Sequence, residues 1–267
     1  MIRLCDLSLS LQGKDILQSI SADLPAGQVT AILGPNGAGK SSLLKCMTGS
    51  QKGYSGAVLL DGQDLRRYGL EELASRRAVL SQHLQIAFPF SVEDVVQMGR
   101  NPFSKQGNPA KDQQVIARAL EIVDAAPLRH RLFPTLSGGE QQRVQLARIL
   151  AQLWGTKGGY LFLDEPTSAL DLKHQYHVLS LISALSQQQG MTVIVILHDL
   201  NLARRFTNHS LLLKDGALLA SGDSRDILRP ALVRDAYQVS MKEVQETGSA
   251  DSHLVFDESI QAEFRLN

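Results

Sequence analysis

The sequence predicts an α/β fold with an antiparallel β subdomain beside it and a helical subdomain inserted into it. Three observations carry that reading. A strand, a glycine-rich turn and a helix follow one another between Val29 and Thr48. Two more apolar runs, Tyr160 to Leu163 and Val193 to Leu197, end in polar residues, as parallel strands do at a ligand-binding edge. Residues 91 to 150 then change from strand-like alternation to helical periodicity.

The first observation is the most informative. Gly34-Pro35-Asn36-Gly37-Ala38-Gly39-Lys40-Ser41 fits G-x-x-x-x-G-K-[ST] at every fixed position. Val29 to Leu33 before it reads as a buried strand. Ser42 to Thr48 after it reads as a helix stopped by Gly49. The glycines let backbone N–H groups of Asn36 to Ser41 point inward, and Ser42 lies in the first turn of a helix whose positive end faces the same phosphates. Lys40 adds a full charge near the β- and γ-phosphates of a nucleoside triphosphate, and the Ser41 hydroxyl suits Mg²⁺. The expected core is therefore that of a P-loop NTPase, with ATP and Mg²⁺ as its ligands.

The strand Tyr160 to Leu163 ends in two adjacent carboxylates, Asp164 and Glu165. Alternation along a strand sends them in different directions. Asp164 suits the metal and Glu165 the attacking water, as general base. The strand Val193 to Leu197 ends at His198, a candidate contact to the γ-phosphate. His174 and His177, three apart on an expected helix, have no acidic or cysteine partner that marks a metal site and read as surface or packing residues, as do His83, His130, His209 and His253. In Leu136-Ser137-Gly138-Gly139-Glu140-Gln141-Gln142-Arg143, Ser137 and Glu140 form a capping box for a helix running to Leu153. The same residues can present donors to phosphate, and both readings hold together.

At 267 residues the chain has ample core for one large domain or a domain plus a lobe. Lysine plus arginine (27) equals aspartate plus glutamate (27), so no broad basic face for nucleic acid is expected. Cys5 and Cys46 sit in unrelated settings and read as buried thiols in a reducing compartment. No signal peptide and no membrane-spanning run are expected, which points to the cytoplasm.

Along the chain, residues 2 to 24 alternate like two strands about Gln12-Gly13, Ala57 to Leu60 adds a third, and Val79 to Ser81 reads as a short strand. Ser91 with Glu93 and Asp94 starts a helix that Asn101-Pro102 breaks, and Gly107-Asn108-Pro109 extends the loop. Asp112 to Ala125 is a second helix. Strands flank Asp215-Gly216, Asp223 to Tyr237 is helical with a break at Pro230, and Leu254-Val255-Phe256 adds a strand. Residues 1–240 are expected to form one domain, with the helical lobe at about 85–152, and 241–267 an extension to which no function is assigned.

Taken in order, the phosphate loop, Gln82, Leu136 to Gln141, Asp164-Glu165, Ser168-Ala169-Leu170-Asp171 and His198 resemble an ATP-binding cassette (ABC) ATPase over nearly the whole chain. The resemblance implies a head-to-tail homodimer with two ATP molecules at its interface. Each ATP then meets the phosphate loop of one copy and Ser137, Gly138, Gly139 and Glu140 of the other. It also implies a place for Gln82 on Mg²⁺ and near the attacking water, and a role for Asp171 in communication between the two sites. Two positions depart from the family pattern: Leu11 stands where an adenine-stacking aromatic residue is common, and Glu140 where glutamine is commoner.

A finer resemblance lies in Ile86 to Pro102, IAFPFSVEDVVQMGRNP, which is similar to ATPases of importers for haem, iron–siderophore complexes and vitamin B12. Ala151 to Trp154 and the glycine-rich spacer after it most resemble haem-importer ATPases of the HmuV type. The implied partners are a pair of transmembrane permease subunits and an external substrate-binding protein, with the chain on the cytoplasmic face of the plasma (inner) membrane. Leu84, Ile86, Phe88, Phe90 and Met98 are candidates for a permease dock, Phe88 and Phe90 being equally readable as packing for the lobe. The other readings are a soluble ABC ATPase of DNA repair or translation, and a nucleotide-switched module without turnover, against which Glu165 speaks.

Overall fold

The computed structural model describes residues 1–81, 88–106, 108–245 and 252–257. Strands β1 (Ile2–Leu11) and β2 (Lys14–Leu24) form a hairpin, and β3 (Val29–Leu33) runs through the glycine-rich turn into α1 (Lys40–Thr48). β4 (Ser55–Leu60) and β5 (Gln63–Asp64) complete an antiparallel sheet of order β2-β1-β4-β5. α2 (Leu70–Arg76) leads to β6 (Arg77–Leu80). The lobe follows, with α3 (Val92–Gln97), 3-10 turns over Met98–Gln106, α4 (Pro109–Ile122) and α5 (Gly138–Gln152). Strand and helix then alternate through β7 (Tyr160–Leu163), α6 (Leu172–Gln189), β8 (Thr192–Ile196) and α7 (Leu200–Phe206). The chain goes on through β9 (His209–Lys214), β10 (Ala217–Asp223), α8 (Ser224–Ile227), α9 (Pro230–Tyr237) and a hairpin of β11 (Met241–Gln245) and β12 (Ser252–Phe256).

The main sheet has the order β10-β9-β3-β8-β7-β6, all parallel except β10. Its three central strands are buried on both faces, and their alternation divides the interior in two. Ile32, Phe162, Ile194 and Ile196 pack with α1 and the antiparallel sheet. Ala31, Leu33, Leu161, Leu163, Val193 and Val195 pack with α5, α6 and the lobe. The phosphate loop and the ends of β7 and β8 therefore emerge side by side.

The second lobe helix starts earlier than the periodicity suggests, at Pro109 instead of Asp112. Asn108 caps it by accepting from Ala110 N and Lys111 N at 3.1 and 3.3 Å, so the Gly107-Asn108-Pro109 stretch read as loop carries a cap followed by proline at the first turn. Asn101-Pro102 does not open a loop at once, because the chain continues in 3-10 turns against α5. A Cβ on Gly99 would lie 2.1 Å from Arg148 O, so only glycine permits that approach. Among the described residues no helix is long and apolar enough to cross a membrane. Cys46 is buried, which pushes its thiol up to about 11, and Cys5 is half-buried; both are free.

Candidate active site

The loop between β3 and α1 is a cradle without occupying side chains. Gly37 and Gly39 take φ of 82° and 95°, and α1 has no side chain capping its N-terminus. Its first N–H groups are thus left for a ligand, as an anion site requires. The Lys40 ammonium is buried and donates to Gly34 O and Pro35 O at 2.8 and 2.9 Å. Burial pulls its pKa below the usual lysine value, while the Glu165 and Asp164 carboxylates act in the opposite sense. Lys40 is held next to the cradle by two neutral carbonyls.

Just past β7, Asp164 follows Phe162 in the alternation toward α1, and the Ser41 hydroxyl donates to Asp164 Oδ1 at 3.2 Å. A hydroxyl and a carboxylate beside the phosphate cradle are the hard oxygen donors that Mg²⁺ takes, so these residues fit the ion. Glu165 leaves the strand pattern with a φ of 52°, a left-handed conformation unusual for a residue with a Cβ. That turn brings Glu165 Oε1 within 2.6 Å of His198 Nε2, just past the end of β8. The two strand ends thus meet through a carboxylate–imidazole contact.

Helix α5 borders the same place. Ser137 accepts from Glu140 N, and Glu140 Oε2 accepts from Ser137 N at 2.8 Å, which completes the capping box. Those contacts and Arg131 hold the Glu140 carboxyl below the usual glutamate range. Its charge is therefore matched within its own turn. Ser137 and Gly138 are exposed. Two residues past Glu140, Gln142 Nε2 donates to Glu165 O at 3.0 Å while Gln142 Oε1 accepts from Ala169 N at 3.2 Å. One side chain closes both ends of the turn that carries Glu165. A cleft of about 290 Å³ lies between α5 and the two carboxylates.

Of the other predicted residues, Gln82, Leu84 and Ile86 lie outside the described residues. Asp171 is exposed and caps α6, accepting from His174 N at 2.9 Å. His174 Nδ1 lies 2.8 Å from Asp171 Oδ1, so this histidine does have an acidic neighbour, in a capping arrangement. No group of three or more His, Cys, Asp and Glu side chains that could hold a metal occurs among the described residues. Leu11 is exposed at the tip of the first hairpin. Phe88 is largely exposed at 71% and Phe90 partly so at 38%, with ring centroids 6.1 Å apart. Sequence reasoning gave no role to Gln142, although it lies in the Leu136 to Arg143 motif, and missed Tyr237, whose hydroxyl accepts from Gly34 N at 2.8 Å. Neither has a local signal, since both act across the fold.

Residues 17–168 match the family model described as ABC transporter. The hemin import ATP-binding protein HmuV of Escherichia coli O157:H7 is 41% identical over 259 residues, which cover 96% of this chain and 100% of that protein. A metal-chelate-type ABC transporter solved in an inward-facing conformation is 31% identical, with a TM-score of 0.78 and 96% of each chain covered. A dimeric ATP-binding cassette, MJ0796, solved in a post-hydrolysis state with ADP and Pi, is 25% identical with a TM-score of 0.74, covering 84% of this chain and 99% of that one.

Proposed function

Because this chain belongs to the ABC transporter family, and so has the P-loop cassette fold of an ATP hydrolase, we propose that it energises a membrane importer for haem (hemin). The observation that carries the activity is the convergence of Lys40, the Ser41–Asp164 pair and the Glu165–His198 pair at neighbouring strand ends. The full-length likeness to a hemin import ATP-binding protein supports the cargo.

In this reading residues 34–42 wrap the phosphates, and Lys40 leaves its two carbonyls to meet the β- and γ-oxygens. Ser41 and Asp164, with Gln82, hold Mg²⁺, which when bound screens charge on the transferred phosphoryl group. Glu165 orients the attacking water and takes its proton, and His198 holds that carboxylate and reaches toward the γ-phosphate. The turn at Ser137, Gly138, Gly139 and Glu140, exposed at its first two residues, meets ATP held by a second copy, and Asp171 carries contact between the two sites. ATP closes the homodimer because its charge bridges two surfaces; loss of phosphate reopens it.

Residues 1–240 form the motor, including the lobe at about 85–152, with 241–267 an extension. Phe88 and Phe90, an exposed aromatic pair, dock on one of two permease subunits, which places the chain peripherally on the cytoplasmic face of the plasma membrane. An external binding protein delivers the cargo, and no nucleic acid takes part.

Glu165→Gln keeps the side chain's size and removes its basicity. The variant is expected to bind MgATP, form a stable dimer and hydrolyse at least about 100-fold more slowly. Turnover at the parent rate would overturn the assignment of the base. Transport by the reconstituted permease complex decides the cargo; uptake of a ferric siderophore or cobalamin but not haem would favour the second reading, which the metal-chelate-type likeness supports.

A further inference from the structure

The phosphate loop is held from behind by a group the proposed reaction does not use. At the end of β3 the ladders to β8 and β9 stop at Ile32 and Leu33. The next N–H, that of Gly34, leaves the sheet inside the protein and needs a partner. Tyr237, the last residue of α9 and 203 positions further on, supplies it: Gly34 N donates to the Tyr237 hydroxyl at 2.8 Å. Burial pushes the phenol up to about 12, so the group stays neutral at any working pH.

Both sides of this bond are fixed. Gly34 has a φ of 144°, and a Cβ there would lie 2.3 Å from Leu213 O on β9. Helix α9 is seated by buried Val233 and Ala236, and Lys214 donates from β9 to Asp235 O at 2.7 Å. The Gly34 carbonyl is in turn one of the two acceptors that hold the Lys40 ammonium. An unbroken path therefore runs from the Tyr237 hydroxyl through a single residue to the charge that meets ATP.

We propose that Tyr237 is a positioning residue for nucleotide binding, which sets the Gly34 peptide and through it the resting place of Lys40. The proposal rests on the reading of residues 34–42 as the phosphate site. Without the hydroxyl, the Gly34 N–H loses its partner and the loop relaxes to find another. The penalty falls on phosphate binding. It does not fall on the Glu165–His198 contact, which is built on β7 and β8.

Tyr237→Phe keeps the ring and removes only the oxygen. In the full-length protein, KM for MgATP and Kd for ADP are expected to rise about five- to tenfold, with kcat within about twofold of the parent. Hydrogen exchange at the Gly34 amide, followed without nucleotide, is expected to speed up at least about tenfold. A merely structural role would lower the melting temperature and leave KM and ADP affinity alone. Parent-like KM, Kd and exchange in Tyr237→Phe would overturn the proposal, as would a fall in kcat at constant KM. Lys40→Ala serves as the separate control: if it retains full ATPase activity, the phosphate-site reading itself fails, whatever Tyr237→Phe does.

Discussion

Gln142→Met is expected to slow ATP hydrolysis without weakening ATP binding. The side chain keeps its length, so α5 continues to pack, but both bonds to the turn are lost: Gln142 Nε2 to Glu165 O at 3.0 Å and Ala169 N to Gln142 Oε1 at 3.2 Å. Each is worth about 0.5–1.5 kcal/mol net. They act against the left-handed φ of 52° at Glu165, a conformation that costs roughly 1–3 kcal/mol. Glu165 O is still reached by Ser168 Oγ at 3.1 Å and by Ser168 N at 3.3 Å, so the turn keeps two ties and the lower end of the range applies. A loss near 1.4 kcal/mol in holding the carboxylate against His198 corresponds to about tenfold in kcat. The cradle at residues 34–42 belongs to another strand, and KM should stay within about twofold. Steady-state hydrolysis against MgATP concentration reads both parameters. A kcat within twofold of the parent would show that the turn holds itself and that the clamp is idle.

Two further outcomes test surfaces away from the chemistry. Replacing exposed Phe88 and Phe90 together by serine should leave the ATPase of the isolated chain and its melting temperature unchanged, while co-purification with the permease falls at least about tenfold. Retained co-purification would move the dock elsewhere. Glu93 accepts from Arg129 at 3.0 and 2.6 Å, and the guanidinium holds its carboxyl below the usual glutamate value. Stability from this pair is fully present above the unfolded value, about 4.3, and is lost as pH falls through the lower folded value. Glu93→Gln should melt about 2–4 °C below the parent at pH 7, with the gap narrowing as the pH is taken below about 4. A gap that stays constant with pH would assign the loss to packing.

Much of this molecule could be read from the chain because its chemistry is carried by local patterns. The phosphate loop names its own strand and helix, and Ser137 with Glu140 names a helix start that the structure reproduces. The strand ends at Asp164 and His198 follow from apolar runs that stop abruptly. The errors have a common origin. Asn108-Pro109 has the composition of a loop and the geometry of a cap, and only the bonds to Ala110 N and Lys111 N distinguish the two. Alternation sent Asp164 and Glu165 in different directions but gave no hint of the positive φ that turns Glu165 onto His198. Gln142 reads as one polar residue of an amphipathic helix and Tyr237 as the end of another; their partners lie 23 and 203 positions away.

The capping box at the start of α5 accounts for glutamate at position 140. An added carboxylate next to a phosphate site would be costly if it were free to face the nucleotide. Here it is drawn back by Ser137 N at 2.8 Å and by Arg131 at 3.3 Å, at the positive end of α5. The donors left forward are those of Ser137 and Gly138, which are exposed. A Cβ on Gly139 would lie 2.9 Å from Ala169 O, in the same turn that Gln142 closes. The start of α5 and the turn that carries Glu165 are therefore one packed unit. In the proposed dimer, a push on Ser137 by the partner's nucleotide has a bonded route to Glu165 through Gln142 and Ala169. On the proposed reading, coupling between the two sites of a dimer then requires no moving domain, because the turn at Ser137 and the proposed base Glu165 are already joined within each chain.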